Sequence, residues 1–205
     1  MKKEFDTIIW DLGGVLIDWN PHYVFTDDYF DTIEKRDYFI EKICTHDWNE
    51  NQDAGYSIAK ATEERVALFP EWESAIRDFY GRWEEMLGGV IEGPLEIFRQ
   101  LKEKKELKFY ALTNWSAETF PIARQRFDFL QWFDGILVSG EEKLRKPFPE
   151  FYRLMFERFS INPASTIFID DNLRNVQAAE KVGISAVHYQ SSGQLKTILI
   201  EEGLL

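Results

Sequence analysis

Outside residues 17–89, short apolar runs alternate with longer segments that have helical periodicity. Five of these runs are too short for a buried helix and almost continuous in apolar side chains, which is typical of strands buried on both faces of a parallel sheet. The five runs are Thr7–Trp10, Phe109–Leu112, Ile136–Val138, Thr166–Ile169 and Ala186–Tyr189. They predict five strands of one sheet.

Helical patterns fill the intervals between the predicted strands. One begins near Pro94 and a second after Pro149, and both continue with apolar residues three or four positions apart. A third begins near Leu173 and stops at Gly183, because glycine readily adopts the left-handed conformation that ends a helix. The alternation of strands and helices predicts an α/β fold, with a Rossmann-like parallel sheet in three layers and right-handed crossovers.

Residues 17–89 contain helical patterns and no convincing strand. Apolar side chains from Trp72 to Leu87 recur at helical spacing, which predicts one helix that ends at Gly88 and packs in a core. We therefore predict that this segment is an all-helical cap domain. It would interrupt an α/β core domain formed by residues 1–16 and 90–205.

The chain has 205 residues, and its 36 acidic and 24 basic residues give a formal net charge of −12. Residues 17–89 hold 17 of the acidic and 7 of the basic residues. This excess of negative charge is compatible with helices whose acidic faces are solvated, and also with a separate inserted domain. Such a charge repels nucleic acids and anionic bilayers, and it disfavours polyphosphates. We expect a small-molecule substrate and neither a nucleic-acid nor a membrane partner.

Cysteine content and hydropathy indicate a reducing compartment. Cys44 is the only cysteine, which excludes an intramolecular disulfide and a thiolate zinc cluster. No apolar run reaches the roughly 18 residues of a membrane helix. Acidic residues also interrupt the apolar stretch near the N-terminus, which argues against a signal peptide. We expect a cytoplasmic protein that is a monomer or a homodimer.

Chemically versatile side chains stand at the ends of four of the predicted strands. In chain order they are Asp11, Thr113 with Asn114, Lys146, and Asp170 with Asp171. Ligands of open parallel sheets bind beyond the carboxyl ends of the strands. We therefore expect these side chains to converge on one small volume.

These residue types together fit phosphoryl transfer. A carboxylate such as Asp11 can act as a nucleophile and form an aspartyl-phosphate. Magnesium prefers oxygen ligands, which carboxylates at the strand ends can supply, and it screens the repulsion between nucleophile and phosphate. The Thr113 hydroxyl and the Lys146 ammonium group can bind phosphate oxygens. These residues therefore predict a magnesium-dependent site for phosphoryl transfer.

At these residues the sequence resembles the haloacid dehalogenase superfamily, which consists mostly of phosphatases. The resemblance spans nearly the whole chain, with four motifs in order and a helical cap inserted after the first. It implies that Asp11 is the catalytic nucleophile, and that Thr113 and Lys146 bind the phosphate and assist catalysis. Asn114, beside Thr113, is a further candidate for substrate binding.

Gly13 departs from the family pattern. The resemblance implies that magnesium is bound by Asp11, by the Gly13 carbonyl and by Asp170 and Asp171, with Asp171 as the more direct ligand. Most phosphatases of the family, however, carry a second Asp at the position of Gly13, where it acts as general acid and base. That proton transfer is worth about 10²–10⁴-fold. Either the leaving group is unusually good, or another residue or water supplies the proton, or the protein is no longer a catalyst.

The segment Asp11–Val15, followed by Asp18, resembles a subgroup of small capped hydrolases. That subgroup includes a bacterial α-glucose-1-phosphate phosphatase and is similar to the phosphatase domain of soluble epoxide hydrolases. The likeness favours a sugar phosphate, by analogy alone. Within the cap, the polar and aromatic stretch from His46 to Asn51, which ends near Gly55, is the candidate substrate-facing turn. Trp48 is the candidate contact there, although a Trp on a cap also commonly packs in its own core.

Two other functions are compatible with this family. In a 2-haloacid dehalogenase the nucleophile attacks carbon and halide leaves without a proton, so Gly13 would be harmless. Such enzymes need no metal, and the acidic pair Asp170-Asp171 argues against this reading. The other alternative is a catalytically retired protein that binds phosphate or regulates a partner, which the missing acid would explain.

Overall fold

The computed structural model describes residues 4–104 and 106–205. Its strands are β1 (Thr7–Trp10), β2 (Ile17–Trp19), β3 (Leu87–Val90), β4 (Lys108–Thr113), β5 (Gly135–Val138), β6 (Thr166–Asp170) and β7 (Ser185–His188). Five of them form a parallel sheet in the order β5–β4–β1–β6–β7. The five predicted strands are therefore confirmed, with ends that differ by at most one residue.

Strand β1 lies at the centre of this sheet, between β4 and β6. Ile9 stands opposite Tyr110 on one side and Phe168 on the other. All four residues of β1 are buried, as a continuous apolar run in a covered sheet requires. Asp11 follows directly, so the central strand delivers this carboxylate to the edge of the sheet where ligands of parallel folds bind.

Eleven α-helices lie within the described residues. They are α1 (Asp27–Phe30), α2 (Ile33–Tyr38), α3 (His46–Asp53), α4 (Ile58–Leu68), α5 (Glu73–Gly81), α6 (Glu92–Lys102), α7 (Phe120–Arg126), α8 (Ser139–Glu142), α9 (Pro149–Phe159), α10 (Leu173–Lys181) and α11 (Ser192–Glu201). A π-helical segment, Phe39–Ile43, continues α2. The three predicted helices correspond to α6, α9 and α10.

Helices cover both faces of the sheet. Helices α6 and α11 pack together on one face, over side chains that include Trp10 and Phe109. Helices α9 and α10 cover the other face, over Ile9 and Tyr110. Successive residues of a strand point to opposite faces, which is why the neighbours Ile9 and Trp10 fill different layers. This three-layer arrangement confirms the predicted α/β fold class.

Between β1 and α6 the chain forms helices α1–α5 and an antiparallel ribbon of β2 and β3. Ile17 pairs with Val90, and Asp18 pairs with Gly89. The prediction that this segment contains no strand is therefore wrong. Gly88 does not end a helix but allows the two strands to approach, because a Cβ at this position would lie 2.5 Å from Oδ2 of Asp18.

The predicted single helix from Trp72 to Leu87 is divided. A 3-10 turn ends at Trp72, α5 ends at Gly81, and a second 3-10 turn, Trp83–Met86, leads into β3. Glycine is a poor helix residue, which explains the break at Gly81. The apolar side chains nonetheless pack in the core, Phe79 with 1% exposed and Trp72 partly buried against it, so the predicted core packing is confirmed.

The division into a core of residues 1–16 and 90–205 and a cap of residues 17–89 remains a proposal. The ribbon of β2 and β3 supports it, because both ends of the inserted segment leave and rejoin the sheet layer at one place. In the part of the chain that the structure describes, no helix has both the length and the apolar character needed to cross a bilayer.

Candidate active site

Three buried charges meet where β1 and β6 end. Nζ of Lys146, from the loop after α8, lies 2.8 Å from Oδ1 of Asp11 and 2.7 Å from Oδ2 of Asp170. The exposed fraction is 7% for Asp11 and 0% for Lys146 and Asp170. An unpaired charge would be costly at this depth, so the three groups stabilise one another. Together with the neighbouring Asp171 they form what we call the floor of the site.

Asp170 is held by protein donors on both oxygens. The Asn175 amide nitrogen lies 3.1 Å from each of them, and the backbone N–H of Asn172 donates to Oδ1 at 2.8 Å. With Lys146 on Oδ2, this carboxylate has little capacity left for another ligand. Asp170 therefore positions Lys146, and it does so from inside the strand, where its exposure is zero.

Asp171 occupies the space that Gly14 leaves open. A Cβ on Gly14 would lie 2.3 Å from Oδ2 of Asp171, and the φ of Gly14 is +74°, a conformation that favours glycine. By contrast, a Cβ on Gly13 would have no neighbouring atom within 4 Å. The chain thus places a glycine where the Asp171 carboxylate must reach towards Asp11.

Oxygen atoms of Asp11, Asp170 and Asp171 lie within 4.8 Å of one another. An all-carboxylate donor set of this kind fits Mg²⁺, which takes oxygen ligands and is commonly held by one or two carboxylates together with water and phosphate. Asp171 is exposed and Asp170 is saturated by protein donors. The residues present therefore fit a magnesium ion, with Asp11 and Asp171 as the carboxylates free to bind it.

The electrostatics of the floor are dominated by burial. Burial raises the pKa of Asp11 well above its usual range, and the charges of Asp170 and Asp171 add to this, whereas Lys146 opposes it. Burial alone would lower the pKa of Lys146, but its two carboxylate partners outweigh that effect and raise it. Lys146 is consequently a permanent cation. A divalent cation at the carboxylates would favour the ionised form of Asp11.

The two residues at the end of β4 have different positions. Asn114 lines the cavity, yet its side chain is engaged with the Lys146 backbone: Oδ1 accepts from the N–H at 2.9 Å and Nδ2 donates to the carbonyl at 3.0 Å. Asn114 thus orients the lysine loop, which sequence reasoning did not anticipate. Thr113 is fully buried, and within the described residues its hydroxyl has no hydrogen-bond partner.

Above the floor lies a cavity of about 300 Å³. Asp11, Gly13, Lys146 and Asp171 border it from below, and helix α3 closes it from above, so we call α3 the roof. Four residues of α3 face the cavity, and their spacing of three and four positions places them on one side of the helix. They are His46, Asn49, Glu50 and Asp53.

Trp48 lies on the other side of α3. It has 6% of its surface exposed and packs against Phe79 and Tyr80, with ring centroids 5.4 and 5.5 Å away. It is not among the residues that border the cavity. The structure therefore does not bring the predicted substrate contact into the site. The stretch is a helix and not a turn, and the helical period turns Trp48 into the core while Glu50 and Asp53 face the cavity.

Glu50 joins the roof to the core. It is 4% exposed and accepts a hydrogen bond from Arg145 at 2.6 Å through one oxygen and from Arg174 through the other. Arg145 precedes the floor lysine, and Arg174 lies in α10. These two ion pairs fasten α3 over the site. They also neutralise Glu50, which borders the cavity.

Three tryptophans give the cavity an aromatic wall. Trp19, Trp83 and Trp115 all border it, and the rings of Trp83 and Trp115 meet edge to face at 5.5 Å. The indole N–H groups of Trp19 and Trp115 are buried and have no partner among the described residues. The wall therefore offers flat apolar surface on which a substrate can stack.

The fold and the site together define the class of protein to which this chain belongs. A parallel α/β sheet presents a buried carboxylate after its central strand, beside a lysine and a metal-compatible acidic pair, beneath a helical roof. Residues 5–183 match the family described as haloacid dehalogenase-like hydrolase, and the chain belongs to this family.

Several relatives with assigned activities are phosphatases. The chain is 29% identical over 203 residues to a sesquiterpene phosphatase, astK of Aspergillus oryzae, with 94% of this chain and 93% of that protein covered. It is 23% identical over 188 residues to a phosphorylated carbohydrates phosphatase of Thermotoga maritima, with 89% and 84% covered. These likenesses support a phosphatase within the family.

A solved structure with the same fold contains the expected ligands. It is a haloacid dehalogenase family enzyme of Bacteroides thetaiotaomicron in complex with magnesium and inorganic phosphate, and it matches with a TM-score of 0.68. The match covers 91% of this chain and 94% of that enzyme at 22% identity. At this identity the likeness shows the fold alone.

Proposed function

We propose that this protein is a magnesium-dependent phosphomonoesterase that forms an aspartyl-phosphate on Asp11 and hydrolyses a small phosphorylated metabolite. The observation that carries the proposal is the buried contact between Lys146 and Asp11 at the bottom of the cavity, with Asp171 free beside it. The phosphatase relatives support the same reaction type.

Asp11 is oriented for nucleophilic attack. The backbone N–H of Leu12 and the ammonium group of Lys146 both contact Oδ1, each at 2.8 Å. These donors fix the plane of the carboxylate, and Oδ2 receives no hydrogen bond from any described residue. Oδ2 can then attack phosphorus, while Lys146 stabilises the negative charge that develops on the phosphate oxygens.

The remaining floor residues would hold the phosphate and the metal. Asp11 and Asp171 would bind Mg²⁺, and the Gly13 carbonyl is a further candidate ligand because Gly13 borders the cavity. Bound magnesium would neutralise phosphate charge and reduce its repulsion from the nucleophile. The Thr113 hydroxyl, which lacks a partner among the described residues, would donate to a phosphate oxygen once that oxygen reaches the strand end.

The cavity favours a monophosphate whose alcohol portion is uncharged. Four acidic side chains border it, namely Asp11, Glu50, Asp53 and Asp171. The guanidinium groups of Arg145 and Arg174 are already paired with Glu50, so a second phosphate would meet no free cation among the described residues there. A sugar phosphate fits this description. A phosphate of an apolar alcohol also fits, because the aromatic wall offers a stacking surface for either.

Phosphate release from a panel of esters tests the proposal. The panel contains sugar monophosphates, a sugar bisphosphate, an acyl phosphate, an isoprenoid monophosphate and p-nitrophenyl phosphate, assayed with Mg²⁺ and with chelator. We expect metal-dependent release that disappears in Asp11→Asn. Absence of release from every ester would contradict the proposal. Chelator-insensitive halide release from a chloroacid would support the dehalogenase alternative instead.

A further inference from the structure

We propose that Asp53, on the roof helix, is the catalytic acid that protonates the departing alcohol oxygen, in place of the carboxylate missing at Gly13. This inference rests on the proposed phosphomonoesterase activity and adds a residue to it. Asp53 lies 42 positions from the nucleophile along the chain, in the inserted segment, yet both carboxylates border the same cavity of about 300 Å³. A phosphate ester bound to the floor would carry its alcohol portion towards the roof.

A network of hydrogen bonds orients the Asp53 carboxylate. The Tyr80 hydroxyl donates to Oδ1 of Asn49 at 2.8 Å, which leaves Nδ2 of Asn49 to donate to Oδ2 of Asp53 at 3.0 Å. The Ser139 hydroxyl donates to the backbone carbonyl of Asp53 and accepts from the backbone N–H of Trp115 at 2.9 Å. Asp53 is therefore linked through Ser139 to the loop that follows Thr113 and Asn114, on the phosphate-binding side of the cavity.

The other acids of the cavity are committed to different tasks. Both oxygens of Glu50 accept hydrogen bonds from guanidinium groups, so Glu50 has no free oxygen for a transferable proton. Asp171 belongs to the metal-compatible set. His46 has 68% of its side chain exposed and stands at the rim. Among the described residues that border the cavity, Asp53 remains as the acid available for proton transfer.

The protonation of Asp53 suits a general acid at neutral pH. Burial raises the pKa of Asp53 to about 7, and the negative charge of Glu50 adds to this, whereas the Ser116 N–H and Arg145 oppose it. A general acid works best when its pKa lies near the working pH. The charged and titratable groups around it are Glu50, Arg145, Tyr80 and Glu118, with His46 on the same helix and Asp11, Lys146 and Asp171 across the cavity.

In this mechanism Asp53 gives up one proton in the first step and regains one in the second. In the first step Oδ2 of Asp11 forms a bond to phosphorus, the bond from phosphorus to the alcohol oxygen breaks, and neutral Asp53 gives its proton to that oxygen. In the second step water attacks phosphorus, the bond from phosphorus to Oδ2 of Asp11 breaks, and one proton of the water passes to the Asp53 carboxylate. Phosphate leaves, and both carboxyl groups regain their starting forms.

Two esters of similar shape test the assignment in single-turnover experiments with excess enzyme and Mg²⁺. Benzyl phosphate has a strongly basic leaving group that requires a proton, whereas p-nitrophenolate leaves without one. For Asp53→Asn we expect the release of benzyl alcohol to slow by about 10²-fold or more, and the release of p-nitrophenolate to slow by less than about 3-fold. An equal slowing of both, or no slowing of either, would overturn the assignment.

A matched variant and a pH profile complete the test. Asp47→Asn removes an exposed carboxylate from the same helix, outside the cavity, and is expected to leave both rates unchanged.

In the native protein the benzyl rate should fall above about pH 7 as Asp53 loses its proton, without a corresponding fall for p-nitrophenyl phosphate. The comparison of the two pH profiles uses only the native protein. Titrating groups that act in both reactions change both profiles equally, so a difference between the profiles reports on the proton given to the leaving group. Identical profiles would overturn the assignment.

Failure of the proposed function would look different. If the native protein released neither alcohol in the presence of Mg²⁺, the phosphomonoesterase itself would be refuted. If it released both and Asp53→Asn did not discriminate between them, the phosphomonoesterase would stand and only the role of Asp53 would be lost.

Discussion

The floor and the roof of the cavity carry charges of the same kind but are assembled differently. The three floor carboxylates end or directly follow strands β1 and β6, and Lys146, from the loop after α8, contacts two of them at 2.8 and 2.7 Å. The roof is one face of α3, and its carboxylates are Glu50, which is paired, and Asp53, which has no cation within ion-pair distance among the described residues. The comparison suggests that the floor binds and attacks the phosphate, whereas the roof handles the alcohol.

Replacing Lys146 with Met should produce the largest effect. The substitution keeps the length of the side chain but leaves Asp11 and Asp170 buried without their cation, and breaking such a group costs about 3–5 kcal/mol. We expect the free energy of unfolding in urea, measured with chelator, to fall by that amount, and phosphate release to be lost.

Lys181→Met provides the matched control, because Lys181 is exposed at the end of α10. Its effect on the free energy of unfolding should stay within about 0.5 kcal/mol. If Lys146→Met were as mild as Lys181→Met, the floor would not be the electrostatic unit described above.

Asp53→Asn should stabilise the protein at alkaline pH. Because burial raises the pKa of Asp53 to about 7 in the folded chain, against about 3.9 when unfolded, ionising it opposes folding as the pH rises. The variant removes this cost, so at pH 8 we expect it to be more stable by about 1–4 kcal/mol, at about 1.4 kcal/mol per pKa unit. Urea unfolding from pH 4 to 8 measures the difference.

The sign of that difference depends on pH in a defined way. The gain should shrink as the pH falls through 7 and vanish near pH 4, where both the folded and the unfolded chains hold the proton. A gain that does not change with pH would mean that Asp53 does not titrate near neutrality. If Asp53 is a functional acid, the Asp53→Asn variant should gain stability and lose activity. A purely structural role for Asp53 does not predict this combination.

Substitutions at two adjacent glycines, Gly14 and Gly13, test whether Asp171 binds magnesium. Gly14→Ala places a methyl group 2.3 Å from an Asp171 oxygen in a left-handed conformation. We expect a loss of about 1–2 kcal/mol in the free energy of unfolding and a higher Mg²⁺ concentration for half-maximal phosphate release. Gly13→Ala, which meets open space, is the control and should shift neither quantity by much. Equal magnesium titrations for the two variants would count against Asp171 as a ligand.

Glu50→Gln should improve the binding of substrates that carry a second phosphate. The substitution weakens the hold on Arg145 and Arg174, and either guanidinium group can then bind a second phosphate. We expect the KM for a sugar bisphosphate to fall by about 10-fold, the value of one charge-assisted hydrogen bond, while the KM for the monophosphate changes little. An unchanged KM ratio would show that these arginines do not face the substrate.

The floor could be predicted from the sequence because its residues are tied to strand ends. A run such as Thr7–Trp10 is recognisable as a buried strand, and its carboxyl end fixes the place of Asp11. The same reasoning placed Lys146 and the acidic pair at one edge. It could not show that Asn114 would orient the lysine loop, since that contact depends on the path of the loop after α8.

The sequence pointed to the stretch that forms the roof but not to the face that meets the floor, because a helix face is defined by its phase. The polar residues at positions 46, 49, 50 and 53 follow the helical period, which was the available signal, but the stretch resembles a turn when Trp48 is taken as its centre. Which side of α3 meets the floor is decided by Phe79 and Tyr80, which pack on the opposite side. The ribbon was missed for a similar reason, since Gly88 and Gly89 are typical of helix ends as well as of close strand contacts.

The most direct test of the central claim is to trap the phosphoryl group on the nucleophile. The protein is mixed with Mg²⁺ and p-nitrophenyl phosphate, quenched in acid within the first turnover, digested, and analysed by mass spectrometry. We expect one phosphoryl group on the peptide that contains Asp11, and none on the same peptide from Asp11→Asn. Rapid phosphate release with Asp11 unmodified at every quench time, or with the label on another residue, would contradict nucleophilic catalysis by Asp11.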